Sequence, residues 1–201
     1  SLSAGMKLRD GRLKETASGT AFTGVHGELA LELAPSGTVR KLLVKGLGAE
    51  TSSGSIGGDV DLSGMTNAKL KADVHGDIAV ADLLRFARVD TLEEAQGRLR
   101  ADAHITGVLR DVAHVKASDL RALAINGNAE LKDATLKLKG VRHRLSGLNA
   151  TLALKGNDAQ VDGLRCEVQG NSIDLSGTLR NFLPYLVFPD QRLVIDARGS
   201  S

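Results

Sequence analysis

Aromatic side chains are nearly missing from this chain: there is no tryptophan, and Phe22, Phe86, Phe182, Tyr185 and Phe188 are all the rings among 201 residues. A compact core of this length normally buries several large rings, because each removes so much area from water. The shortage also counts against binding of single-stranded nucleic acid or sugars, which use stacking platforms. Cysteine is rarer still. Cys166 stands alone, so no internal disulfide forms and the redox compartment stays undecided. It falls in phase with Leu164 and Val168 and reads as a small core residue.

No run approaches the ~20 apolar residues of a membrane-spanning helix. The opening Ser1-Leu2-Ser3-Ala4-Gly5 carries no signal-peptide pattern and reads as text from inside a protein, so the chain is expected to be a segment of a longer one. Charge of one sign is lacking too. Lys and Arg total 26 and Asp and Glu 24, well interspersed, for a net charge of +2. Such a surface is solvated but does not track phosphates, and nucleic acid is not an expected partner. The densest basic cluster, Arg142-His143-Arg144, fits a polar loop.

Catalytic constellations are also absent. His26, His75, His104, His114 and His143 are scattered singly, with none of the spacings that mark a metal site. Ser55, in Gly54-Ser55-Ile56-Gly57, lacks the spacing of a nucleophile elbow. There is no glycine-rich phosphate loop with a lysine. Asn149-Ala150-Thr151 matches a glycosylation acceptor but lies mid-strand. The expectation is no catalytic residue, no metal, no cofactor and no enzyme.

What is abundant is alternation. Across Gly97 to Gly107, Leu99, Ala101, Ala103 and Ile105 fall on one face, and Arg98, Arg100, Asp102, His104 and Thr106 on the other. Side chains of a strand point alternately to its two faces, so this is a ribbon greasy on one side and wet on the other. Its closing phrase, Ile105-Thr106-Gly107-Val108-Leu109-Arg110, returns as Leu175-Ser176-Gly177-Thr178-Leu179-Arg180. Asp61-Leu62-Ser63-Gly64 matches Asp174-Leu175-Ser176-Gly177 letter for letter, with the Asp facing solvent and the Gly expected to allow a turn.

Similar short runs fill the chain: Thr20 to Gly24, Glu28 to Leu33, Val39 to Lys45, Ile56 to Ser63, Ala68 to Val74, Asn128 to Leu138, Leu148 to Leu154, Leu164 to Val168, Ile173 to Leu175 and Arg192 to Ala197. Thr51 to Ser55 reads as a polar loop or turn. About fifteen strands with tight turns imply mainly antiparallel neighbours. Helical spacing appears from Ile78 to Ala87, and Thr91-Leu92-Glu93-Glu94 has the form of a capping box. Asn181 to Leu186 fits a helical turn that plugs or caps the sheet.

The fold expectation is therefore mainly β: an elongated, mostly antiparallel curled sheet forming an open apolar groove, with one or two short helices near 78–95. Residues 1–201 form one segment of a repetitive array, subdivided into strands over 1–76, a short helical region over 77–96 and strands over 97–201. An immunoglobulin-like sandwich is disfavoured by the missing rings and by the recurring phrase, which marks an array that extends. The apolar face admits two readings: the core of a closed two-layer domain, or the inner face of an open sheet that receives lipid tails.

Several segments resemble the C-terminal region of the AsmA-like and TamB-like proteins. These are Gly127 to Gly140, Leu145 to Leu154, Asn171 to Phe182 and Leu183-Pro184-Tyr185-Leu186, with the best match from about Gly97 to Leu186. The family's form, a glycine followed by alternating leucines and polar residues and closed by a glycine and an Asn-Phe pair, recurs in that order. The resemblance implies a long β-sheet curled into an apolar trough, part of a protein anchored in the inner membrane of a Gram-negative bacterium and reaching across the periplasm. It further implies transfer of phospholipid or other acyl chains toward the outer membrane, with the anchor outside this chain and envelope proteins as possible partners. On this reading Leu99, Ala103, Ile105, Leu136, Leu138, Leu152, Leu154, Val168, Ile173 and Leu175 line the inner wall. The alternative is a structural or protein-interaction β-domain of the envelope with a closed core.

Overall fold

The computed structural model describes residues 2–14, 21–82, 92–140, 142–188 and 190–200. Eleven strands run along the chain: β1 (Leu2–Lys14), β2 (Ala21–Leu33), β3 (Val39–Thr51), β4 (Gly54–Ser63), β5 (Thr66–Ala79), β6 (Leu92–Asp111), β7 (Ala124–Leu138), β8 (Leu145–Lys155), β9 (Asp158–Val168), β10 (Asn171–Arg180) and β11 (Val194–Ser200). They form one sheet in which each strand pairs antiparallel with its predecessor, in the order β1 to β11. Among the described residues the outer edges of β1 and β11 do not pair, so the sheet is not closed into a barrel. Two short helices, α1 (Ala117–Arg121) and α2 (Phe182–Val187), occupy the β6–β7 and β10–β11 connections, at the same end of the sheet.

Strands are fewer and longer than the alternation suggests, because β-bulges fuse neighbouring runs. Apolar residues three apart would ordinarily point to opposite faces. Here Leu8 and Gly11, Phe22 and Val25, Val44 and Leu47, Leu131 and Ala134, Leu145 and Leu148, and Val161 and Leu164 all keep one face, with an extra residue absorbed between each pair. The absorbing residue in each case, Asp10, Gly24, Gly46, Asp133, Gly147 or Gly163, has positive φ. Such bulges bend the strand and increase its twist. Added to the ~20–25° by which neighbouring strands ordinarily rotate, they curl the sheet.

A bulge frees a backbone N–H from the ladder, and neighbouring side chains satisfy two of these. The Gly46 N–H donates to Asp59 Oδ1 at 2.6 Å, and the Asp133 N–H to Asn149 Oδ1 at 3.0 Å. Asn149 also donates to the Gly147 carbonyl at 2.9 Å, so this polar-face residue ties two adjacent bulges together.

The repeated phrase serves two purposes. Gly64 lies at the turn after β4, as expected, but Gly107 and Gly177 lie inside β6 and β10. A Cβ on Gly177 would fall 2.1 Å from the Asp196 carbonyl oxygen, so glycine there permits the approach of β11.

Helical structure also departs from expectation. Ile78 and Ala79 end β5, and residues 80–82 are helical, with Val80 and Asp82 buried. Leu83, Leu84 and Ala87 lie outside the described residues. Leu92 to Gln96 belong to β6, not to a second helical turn: their pairing with β7 outweighs the local capping-box pattern. Helix α1 was not foreseen, while α2 falls where a capping turn was expected. Pro184 is fully buried at the third position of α2, inside the first turn, where backbone N–H groups have no intrahelical partner to lose.

Candidate apolar groove

All the apolar residues brought into register by the bulges share one face. At its centre the rows run Ala49–Ile56–Gly76–Ala101 and Leu47–Gly58–Val74–Ala103 across β3 to β6, large beside small. The small residues form a low floor between bulky walls. Gly58 cannot be larger: its Cβ would sit 2.1 Å from the Asp73 carbonyl oxygen. Together with Leu13, Phe22 and Val25 of β1 and β2, these rows enclose a groove of about 460 Å³ with almost wholly apolar walls. That lies within the ~300–1,000 Å³ usual for small-molecule sites.

The groove is open among the described residues. Leu13 is 59% exposed, and Leu47, Ile56 and Val74 are 41%, 37% and 40% exposed, although all four point into it. Single exposed hydrophobics are ordinary, but a contiguous strip on one face marks a place of contact. The surface of the whole chain agrees. Its accessible area is 12274 Å² for 21.1 kDa, against roughly 9,000 Å² for a compact monomer of that mass.

Elsewhere the same face is partly covered. Leu62, Ala68, Leu109, Leu123 and Ile125 form a buried cluster against which Leu120 of α1 and Leu183, the second residue of α2, pack. A second cluster, Ala134, Leu148, Ala150 and Cys166, forms the floor of β7 to β9. Burial pushes the Cys166 thiol pKa up, as befits an inert packing residue.

The ten residues expected to line the wall all occupy this face by register, but in different surroundings. Ala103 lines the groove. Ala103 and Ile105 also pack on the first cluster, and Leu136, Val168 and Ile173 on the second. Leu154 is buried, while Leu99, Leu152 and Leu175 are half-buried. Leu138 holds its place in the ladder, its side chain lying outside the described residues. Leu13, Phe22, Val25, Leu47, Ala49, Ile56 and Val74, the residues that build the groove, were not singled out in the sequence. The phase slip at Gly46 conceals Leu47 and Ala49, and the glycines around Ile56 blur its alternation.

The opposite face carries charge arranged in cross-strand pairs. Asp77 accepts from Arg98 Nε at 2.5 Å and from Arg100 Nη2 at 3.0 Å, and these hydrogen bonds hold its carboxyl below the ordinary range. Arg165 pairs with Asp174 at 2.9 Å, and His104 Nδ1 lies 2.5 Å from Asp73 Oδ1. Among the described residues, no group of three or more His, Cys, Asp or Glu could hold a metal ion. No helix among them is long and apolar enough to cross a membrane.

No family model, curated protein or solved structure matches this chain.

Proposed function

We propose that this chain is a non-enzymatic segment of a lipid-transfer protein, carrying acyl chains along the apolar face of its sheet. The observation that carries the proposal is the exposure of Leu47, Ile56 and Val74 within a groove that has almost no polar wall. The energetics of the task favour such a surface. At ~0.8 kcal/mol per methylene, bringing two chains of about 15 methylenes each into water costs on the order of 24 kcal/mol. A strip of interchangeable aliphatic contacts lowers that barrier along the route. Leucine, valine, isoleucine and alanine suit sliding, because none fixes the ligand by a directional bond. Charged groups on the opposite face keep the exterior solvated, and lipid headgroups stay in water at the mouth of the groove. The AsmA-like and TamB-like resemblance supports placing the segment in a periplasmic protein tethered to the inner membrane and serving outer-membrane biogenesis.

Titration with a fluorescent fatty acid tests the proposal. The protein is expected to bind the probe saturably, and Leu47→Asp, at an exposed groove position, to weaken binding at least tenfold with unchanged far-UV circular dichroism. Absence of binding to the wild-type protein, or equal binding by both, would refute it.

A further inference from the structure

Rings scarce everywhere else are concentrated at one place: Phe182, Tyr185 and Phe188 lie in and just after α2. This is the end of the sheet away from the β3–β4 turn, toward which the groove lies, and here α1 and α2 pack against each other. Large aliphatic side chains break the surface there as well: Val187 is 58% exposed, Val194 51% and Val115 37%. Val194 shares its exposure with Ile195 on the edge strand β11, whereas Val187 and Val115 lie in the connections that carry the two helices.

Basic residues outnumber acidic ones only narrowly around them, Asp158 and Asp190 accepting from the Asn181 N–H and the Gln191 amide. Asp111, Asp119 and Asp196 are paired with His114, Arg110 and Arg180. Among the described residues, Lys116, Lys155 and Arg192 are exposed cations with no acidic partner, and Arg121 is held by neutral groups, donating to Gln191 Oε1 at 2.6 Å and Asn181 Oδ1 at 3.4 Å. The two helices are also fixed firmly beneath this surface. The Leu183 N–H donates to the Asn157 carbonyl, the Asn157 amide to the Arg121 carbonyl, and the Asn181 N–H to Asp158 Oδ1.

We infer that this end is a membrane-docking surface fitted to an anionic bilayer; the inference extends the lipid reading of the groove but rests on different residues. The rings are half-buried, and only Tyr185 adds a polar group to its ring; such rings, beside exposed aliphatic side chains, suit the interfacial layer, where apolar and polar groups meet. Unpaired lysines and arginines beside them suit lipid phosphates. A protein partner with an acidic, apolar face is the competing occupant. The concentration of rings in a chain that has so few favours the bilayer.

Vesicle flotation of the full chain, with phosphatidylcholine alone or with added phosphatidylglycerol, provides the test. The wild-type protein is expected to float with the anionic vesicles and much less with the neutral ones, and added salt to weaken the binding. Val187→Asp should reduce bound protein about tenfold. Val108→Asp, at a 44%-exposed position on the polar face of β6, should leave it unchanged. Flotation that ignores lipid charge, equal loss in both variants, or self-association in light scattering that Val187→Asp abolishes would each overturn the inference. Fatty-acid binding separates the two proposals: Val187→Asp should retain it, and a wild-type protein that floats but binds no fatty acid condemns the groove reading alone.

Discussion

At the scale of single residues, the fold depends on a few positions that correct the phase of the alternation. Asn149 is the clearest. Its amide accepts from the Asp133 N–H and donates to the Gly147 carbonyl, stabilising bulges in two neighbouring strands. A net value of about 1 kcal/mol per hydrogen bond puts Asn149→Ala at roughly 1–2 kcal/mol of destabilisation. Urea denaturation measures this directly, and an unchanged midpoint would show that water replaces the amide. The acceptor pattern Asn149-Ala150-Thr151 thus has a structural explanation. Its role was invisible in the sequence because it depends on Asp133, in another strand, adopting positive φ. Leu99 to Ile105, in contrast, were legible at once, since no bulge interrupts their pairing with β5.

At the scale of elements, local pattern located the turn at α2 but failed where a neighbouring strand decides. Thr91 to Glu94 has the letters of a capping box, yet Leu92 to Gln96 join β6 because β7 offers a full ladder. Helix α1 shows the reverse. It gave no apolar period to read and is held by Asp119, whose carboxylate accepts from the Lys116 N–H at 2.9 Å and from Arg110 Nε at 3.0 Å. The backbone hydrogen bond, followed by the arginine, lowers the Asp119 pKa from its ordinary value of 3.8. A carboxyl with a depressed folded-state pKa stabilises the fold fully above its unfolded value and loses that contribution as pH falls through the folded one. The stability gap between wild type and Asp119→Asn should therefore hold steady above pH 3.8 and narrow below it. A gap that persists unchanged in acid would mean that Asp119 acts through packing and not through its charge.

At the scale of the whole molecule, the described strands form the open, mostly antiparallel sheet that the alternation and the missing rings led one to expect, eleven strands long. A compact 201-residue domain would have a radius of gyration of about 16–17 Å. Small-angle scattering should give a distinctly larger value, and a value near the compact one would mean that the sheet folds onto itself in solution. The open face is also the functional claim. Native mass spectrometry of protein purified without detergent tests it most directly. The wild-type protein should carry bound species with phospholipid or fatty-acid masses, and Ile56→Asp should lose them. A bare polypeptide mass for the wild-type protein, persisting after incubation with phospholipid, would contradict the idea that this face receives hydrocarbon.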